Sequence, residues 1–154
     1  MIELLGAAAL IGIVAGLRAF TAPAIVSWAA AYGLLGVVEG WPSFMAKIYV
    51  PWIFTVLALG EMVTDQLPSP PSRKVPMQFG ARLVMGGLAG ATIGAAHGAW
   101  IAGLAAGVVG AVIGTLGGAA ARGALAKAFG SDRPAAFLED AAAIALGVLA
   151  VAWL

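Results

Sequence analysis

The sequence predicts an all-α fold, a polytopic membrane helical bundle with about five transmembrane spans in a single domain. Composition is the first observation behind this prediction: the 154 residues are 62% hydrophobic and 10% charged, whereas a soluble domain carries about 25% charged residues. A mean hydropathy of +1.03 is the second. The third is that apolar segments alternate with short breaks, so that residues 1–154 have room for about five segments of roughly 20 residues.

The first span is expected from about Leu4 to Tyr32, which is longer than one straight crossing requires. The run Gly16–Pro23, GLRAFTAP, interrupts it. Thr21 is a candidate N-cap, and Pro23 lies where a first helical turn tolerates proline. The stretch is therefore either a kinked helix or two half-helices. Because its start lacks the basic region of a secretory signal, we expect the span to be retained.

The second span is expected from about Ser43 to Gln66, with a kink near its start at Pro51. Glu61 and Asp65 lie near its end, one helical turn apart. Side chains at this spacing share one face of a helix. The second span therefore brings two carboxylates close together near one membrane face.

A polar loop, Leu67–Pro76, follows with four prolines, Arg73 and Lys74, and its prolines argue against a helix. Three further spans are expected after it, at about Met77–Ala95, Ala99–Phe129 and Ala135–Trp153. All three carry charges toward the same membrane face, namely Arg82, Arg122, Lys127, Glu139 and Asp140.

The distribution of basic residues predicts a topology. In a five-span arrangement Lys47 alone falls on one side, and the other side holds six basic residues: Arg73, Lys74, Arg82, Arg122, Lys127 and Arg133. Basic residues in short loops favour the cytoplasmic side. We therefore expect a multi-pass bacterial inner-membrane protein with a cytoplasmic N-terminus and a periplasmic C-terminus.

The two ends of the chain show a similar order of features. The first and fourth spans are rich in small residues, each carries an arginine, Arg18 or Arg122, and each precedes a span with two acids. With one span between them, residues 1–67 and 99–154 would run in opposite directions, as in the inverted repeats of transporters. The acids come late in the second span but early in the fifth. An inverted repeat and a coincidence in an Ala-, Gly- and Leu-rich sequence both stay open.

Glycines recur at four-residue spacing in the third and fourth spans. They are Gly86, Gly90 and Gly94, then Gly103 and Gly107, then Gly110, Gly114 and Gly118. Such strips let helix backbones approach closely. We interpret them mainly as packing surfaces, within the chain or between protomers, rather than as a path lined by exposed backbone.

Five charged side chains are expected at a similar depth. At about 1.5 Å per residue, Glu61, Arg82, Glu139 and Asp140 lie roughly 6–9 Å from the ends of their spans, with Arg122 near the same level. A charge at the bilayer centre costs about 2.5–3.5 kcal/mol even on the more lenient scale. The layer is therefore either an ion-paired structural clamp or a functional group: a gate, a proton or cation site, or a headgroup pocket.

Arg18 stands apart because it lies roughly 21 Å along the first span from Leu4, past the midplane of a straight helix. We expect it at a break in the helix, lining a polar cavity. Free N–H groups near Thr21 would help it to bind an anion or an acidic side chain there. The alternative is that Arg18 caps the carbonyl groups left free at the break.

Three motifs carry a resemblance to a known family. They are Gly16–Pro23, then Glu61-x-x-x-Asp65-x-x-Pro68 followed by Ser72 and Arg73, then Gly130-x-Asp132-x-Pro134 followed by Glu139 and Asp140. Over nearly the whole chain, they resemble a family of small bacterial integral membrane proteins catalogued as a domain of unknown function, the four-one-two-six family. The resemblance implies a membrane location and a span count, but no activity. It adds weight to Arg18, Glu61, Asp65, Arg73, Asp132, Glu139 and Asp140.

The leading functional hypothesis is a transporter or channel-like protein that moves a small solute, an ion or a lipid headgroup through a polar cavity. Arg18 would contact an anionic group, and Glu61 and Asp65 would bind a proton or a cation, with Glu139 and Asp140 as their counterparts. One alternative is a membrane enzyme acting on a phospholipid or polyprenyl phosphate, with acids that hold Mg²⁺. The other is an accessory or scaffold subunit. An enzyme is less favoured because no nucleophile–base pair is evident.

Composition also bounds the partners. The net charge of +1 gives no reason to expect nucleic acid. The absence of cysteine excludes disulfides and thiolate metal sites. We expect contact with membrane lipids, no cofactor, and a homo-oligomer, because 15.3 kDa is small for a transporter.

Overall fold

The structure is a computed structural model that describes residues 1–67 and 75–154. Within these residues the fold is all-helical, without a strand, which confirms the predicted class. The α-helices are α1 (Ile2–Leu17), α2 (Thr21–Ala31), α3 (Tyr49–Asp65), α4 (Pro76–Ala95), α5 (Trp100–Phe129) and α6 (Asp132–Ala152), and a 3-10 helix spans Trp41–Ala46.

The chain reverses direction at Arg18, where the backbone is extended with φ −141° and ψ 109°. The directions of α1 and α2 can be compared along α6. Arg18 contacts Asp140 in the first half of α6. Further along α6, Gly147 lies against Ile11 of α1 and Ile25 of α2. Both helices therefore lead away from Arg18 in the same direction and form a helical hairpin. Of the two predicted forms of the first span, the half-helices are present, and they are antiparallel.

Helix α3 runs back toward the turn of this hairpin. Near the start of α3, the indole Nε1 of Trp28 donates a hydrogen bond to Oγ1 of Thr55 over 2.9 Å, and near its end Glu61 reaches the turn. The predicted second span begins too early, because Ser43 belongs to the 3-10 helix. Pro51 lies in the first turn of α3, where its missing N–H removes no helical hydrogen bond.

Helix α5 packs between α1 and α4 on its glycines. A Cβ on Gly107 would overlap the carbonyl oxygen of Gly86 in α4, and a Cβ on Gly110 would overlap that of Ala9 in α1. Backbones this close leave no room for side chains. We call this surface the glycine seam: Gly12 and Gly16 of α1, Gly86, Gly90 and Gly94 of α4, and Gly103, Gly107, Gly110 and Gly114 of α5. Packing within the chain is therefore confirmed for these glycines.

The seam also gives the relative direction of its helices. Gly12 of α1 lies against Gly107, and Gly16 lies against Thr115, so residue numbers rise together and α1 is parallel to α5. Corresponding helices of an inverted repeat would run in opposite directions. This packing does not support the inverted-repeat interpretation.

Both ends of the chain lie at the same end of the bundle. The ring of Trp153, after α6, lies 3.3 Å from where a Cβ on Gly6 of α1 would stand. This proximity contradicts the expected placement of the termini on opposite sides of a membrane, because the hairpin adds one reversal of direction. We call this end the tryptophan end and the opposite end, at Arg18, the charged end.

In the part of the chain that the structure describes, two helices, α5 with 30 residues and α6 with 21, are long and apolar enough to cross a membrane. Helices α1 and α2 are apolar but shorter. Five spans are not confirmed, because the other described helices do not reach the length and apolarity of a crossing, and the predicted first span is a hairpin of two short helices. The predicted bounds of the last three spans agree closely with α4, α5 and α6.

Candidate functional site at the hairpin tip

The residues between α1 and α2, Arg18–Phe20, form the hairpin tip. Around it lies the charged cluster: Arg18, Glu61, Asp65, Arg82, Arg122, Asp132, Glu139 and Asp140. The structure brings the predicted charged layer together, with Arg82 and Arg122 each within ion-pair distance of an acid.

Arg18 is fully buried. Its Nε donates a hydrogen bond to Oδ1 of Asp140 over 2.5 Å, and its Nη1 donates to Oδ2 of Asp65. Oε2 of Glu139 lies 3.4 Å from the same Nη1. One guanidinium is thus surrounded by three carboxylates, and charge-assisted hydrogen bonds offset its desolvation. The predicted anionic partner of Arg18 is the protein itself.

The backbone of the hairpin tip is held by an ion pair. The N–H groups of Ala19 and Phe20 donate to the two carboxylate oxygens of Glu61 over 2.9 and 3.0 Å. Nη1 of Arg82 donates to the carbonyl oxygen of Gly16 over 2.7 Å, and its Nη2 lies 3.4 Å from Oε1 of Glu61. Polar backbone groups freed by a helix break need partners when they are buried. Glu61 and Arg82 supply them on both sides of the break.

Arg122 ties the end of α3 to α6. Its Nε and Nη2 donate to the two oxygens of Asp132 over 3.0 and 2.7 Å, a bidentate pair. Its Nη1 donates to Oδ2 of Asp65 over 2.9 Å and to Oε2 of Glu139 over 3.2 Å. A bidentate guanidinium fixes geometry as well as charge. Arg122 therefore sets the position of Asp65 relative to α6.

Two acids are shared between arginines. Asp65 and Glu139 each contact both Arg18 and Arg122. Among the described residues the charged cluster holds three arginines and five acids, an excess of two negative formal charges. The described part of the cluster therefore carries more negative than positive formal charge.

A polar pocket of about 230 Å³ opens beside the hairpin tip. It is lined by Ala19 and Phe20 of the tip, Glu61, Thr64 and Asp65 of α3, and Gln78, Ala81 and Arg82 of α4. A polar cavity was predicted at this break. Arg18 was expected to line it, but carboxylates enclose Arg18 instead, and the arginine in the pocket wall is Arg82.

Thr21 and Arg73 complete the set of predicted site residues. Thr21 was the candidate N-cap, but it is the first residue of α2, and its buried hydroxyl has no hydrogen-bond partner among the described residues. Glu61 binds the tip N–H groups in its place, through a carboxylate brought from another helix. Arg73 lies outside the described residues.

Sequence reasoning missed Thr64 and Gln78, the neutral polar residues in the pocket wall. The sequence indicates these two residues only through their spacing from predicted charged residues. Thr64 lies three residues after Glu61, and Gln78 lies four residues before Arg82, so each shares a helix face with a predicted charge.

Within residues 1–67 and 75–154, no group of three or more acidic, histidine or cysteine side chains is placed to hold a metal ion. The geometry therefore adds no metal site to the enzyme alternative. Comparison of the chain with protein-family models, curated proteins and solved structures gave no match. The resemblance to the four-one-two-six family stays a prediction that depends on its three motifs.

Proposed function

We propose that this chain is a multi-pass membrane protein that moves a small solute or ion through the polar pocket at the hairpin tip. The observation that carries the proposal is a helix break, buried among charged side chains, that forms one wall of this pocket. Non-helical backbone at membrane depth is tolerated only where it is buried in protein or lines a water-filled cavity. Interrupted helices of this kind form the solute sites of many transporters.

The outer surface supports a membrane location. Large apolar side chains are exposed along the two longest helices, among them Val109, Ile113 and Leu116 on α5 and Val148 and Leu149 on α6. Contiguous apolar surface of this kind is rare on soluble monomers. Lipid would cover these faces, and we expect further copies of the chain to cover part of them.

We orient the bundle with its charged end in the cytoplasm of a bacterial cell. Lys127 and Arg133 are exposed at that end, and Lys47 is exposed near the tryptophan end. Basic residues favour the cytoplasmic side, and tryptophans favour the membrane interface. Because the chain ends share the tryptophan end, both termini would face the periplasm, which replaces the expectation of a cytoplasmic N-terminus.

The native chain has no cysteine, so single-cysteine variants test this topology directly. In intact cells, a membrane-impermeant thiol reagent should label Glu3→Cys, near the N-terminus. The same reagent should label Ala128→Cys, at the charged end, only after the membrane is opened. Labelling of Glu3→Cys only in opened membranes would contradict the proposed orientation.

The charged residues have two roles in this proposal: some contact the solute, and others hold those residues in place. Glu61 and Asp65 face the solute in the pocket. Arg18, Arg122 and Glu139 stand behind them and fix their charge and position. The hairpin tip is the element that would move, because hydrogen bonds to side chains of other helices replace helical bonds there.

Pocket size decides among the solutes. Its volume of about 230 Å³ lies below the range of roughly 300–1,000 Å³ for drug-sized ligands. A small solute or ion fits this space, whereas a whole lipid molecule does not. The volume therefore limits the transported group to an ion, a small molecule or the headgroup of a lipid whose tails stay outside the pocket.

Transport is tested with the purified chain in liposomes. Flux of protons, Na⁺, K⁺, methylammonium, chloride and glycerol would be followed against empty liposomes. We expect flux of at least one probe, and at least a tenfold loss when a thiol reagent is attached at Ala81→Cys in the pocket wall. The same reagent at Ala128→Cys, exposed at the end of α5, is the matched control and should leave flux unchanged. No flux of any probe through folded protein would overturn the proposal.

A further inference from the structure

We infer that the polar pocket binds one small monovalent cation, either an alkali ion or a protonated small amine. The inference names the solute class of the proposed transport site and so rests on that proposal for its role. Binding itself is a separate property of the pocket, and it can be measured without transport.

The charge of the pocket wall selects the sign and valence. Among the described residues of the wall, Glu61 and Asp65 contribute two negative formal charges and Arg82 contributes one positive charge. An uncompensated charge is costly to bury, and a counter-charge lowers that cost. One monovalent cation would balance these three described charges, whereas a divalent ion would leave an excess positive charge among them.

Asp65 presents an oxygen that its own contacts leave open. Its Oδ2 accepts hydrogen bonds from both Arg18 and Arg122. Its Oδ1 accepts none from the part of the chain that the structure describes. Glu61 differs, because both of its oxygens accept N–H groups of the hairpin tip. Asp65 is therefore the charged ligand that the pocket offers to a cation.

Neutral oxygens complete the site. The hydroxyl of Thr64 donates to the carbonyl oxygen of Gly60 over 2.8 Å, so its lone pairs remain as acceptors. The carboxamide of Gln78 also lines the pocket. Arg82 directs Nη1 to the carbonyl oxygen of Gly16 and Nη2 toward Glu61, so its charge serves the hairpin tip. A carboxylate with hydroxyl and amide oxygens is a ligand set for a hard cation or an ammonium group.

The volume sets an upper limit on the cation. At about 30 Å³ for each water molecule, a pocket of about 230 Å³ holds the equivalent of roughly seven waters. A partly hydrated alkali ion or an amine with a few heavy atoms fits this space. N-methyl-D-glucamine would have to lose its hydration and fill nearly the whole pocket, so it provides a weakly competing reference for ionic strength.

The test is equilibrium binding of radiolabelled Na⁺ and of methylammonium to the purified full chain in nanodiscs, with N-methyl-D-glucamine chloride holding ionic strength constant. We expect saturable binding of one cation per chain. Asp65→Asn should abolish it, but this variant also disturbs Arg18 and Arg122. The variant that tests the site is therefore Gln78→Leu, which should lower the affinity for the cation about tenfold, or by roughly 1.4 kcal/mol. The matched control is Gln66→Leu, at the C-terminal cap of α3 and outside the pocket wall, which should bind as the native chain does.

The binding measurements distinguish four outcomes. Binding of both probes, in competition, supports a general cation site, and binding of one alone assigns the class as alkali ion or amine. Absence of saturable binding to folded protein, or an equal loss in Gln66→Leu and Gln78→Leu, overturns the inference. Saturable binding without flux of any probe would refute the transport proposal and leave the cation site standing.

Discussion

Helix α1 is held in two different ways along its length. At its middle, Gly12 meets the backbone of α5 with no side chain between them. Just past its end, Arg18 extends one of the longest side chains into three carboxylates. The glycine seam and the charged cluster thus fix the same helix with opposite chemistry, one by removing side chains and the other by pairing charges.

The difference between the two regions separates a fixed part from a part that can respond. Contacts in the seam are dispersive and need no desolvation of charge, but they require close fit at every position. Contacts in the cluster are directional, and each buried ion depends on its partners. Asp65 and Glu139 are shared between two arginines, so a pairing can shift when a cation binds. The seam is therefore the scaffold, and the cluster is the region suited to a change of state.

The largest effect is expected from Arg18→Ala. It would remove the arginine that pairs with Asp140 and one of the two arginines that pair with Asp65 and Glu139. Breaking a buried ion pair costs about 3–5 kcal/mol. The free energy of unfolding, measured by denaturant titration in mixed micelles, should fall by that amount. Arg18→Lys should lose less, because it keeps the charge but not the planar fork.

Two variants sharpen this result. Lys127→Ala removes an exposed cation at the same end of the bundle and should change stability by less than about 0.5 kcal/mol. The double variant Arg18→Ala/Asp140→Ala should be less destabilised than Arg18→Ala alone, because it strands one charge fewer. If Arg18→Ala were as stable as Lys127→Ala, the charged cluster would not hold α1. The glycine seam alone would then fix this helix.

A smaller effect is expected in the seam from Gly107→Ala. Its new methyl group would overlap the carbonyl oxygen of Gly86 and lie 3.1 Å from Cα of Gly90, so α4 has to move. Overpacking of this kind costs about 1–3 kcal/mol. Gly117→Ala is the matched control on the same helix, because a Cβ there meets nothing within 4 Å. It should stabilise α5 slightly, by about 0.5–1 kcal/mol, through its helix propensity. Equal stability of the two variants in the same titration would show that the seam tolerates side chains.

Sequence patterns predicted these two regions to different extents. Four-residue glycine spacing is a local property of each helix, so close packing could be predicted, although not which helices would meet. Distance along a helix follows from residue number, so the sequence placed five charges in one layer: Glu61, Arg82, Arg122, Glu139 and Asp140. Arg18 was expected at a different depth, and the reversal of the chain brings it into the same cluster. The ion-pair partners within the layer could not be assigned. The depth of a residue does not show how its helix is rotated about its axis or which helices lie next to it.

The reversal at Arg18 could not be predicted for a related reason. A kinked helix and a helical hairpin have the same residues at the break, and they differ in a few backbone angles that tertiary contacts select. Here Glu61 and Arg82, both distant in sequence, bind the N–H and carbonyl groups that the reversal frees. Direction of the chain, position of the termini and the inverted-repeat hypothesis all depended on that one turn.

The smallest effect is expected within the cluster itself, from Asp132→Asn. Its carboxylate forms a bidentate pair with Arg122, yet its side chain is 51% exposed, against 13% for Asp65. Water already solvates such a carboxylate, and exposed ion pairs contribute about 0–1 kcal/mol. The same denaturant titration should therefore show a loss below about 1 kcal/mol, with Arg122 retained by Asp65 and Glu139. A loss as large as that of Arg18→Ala would mean that Asp132 and the buried acids act as one cooperative network. The boundary between scaffold and responsive region would then lie at the surface of α6 rather than at the hairpin tip.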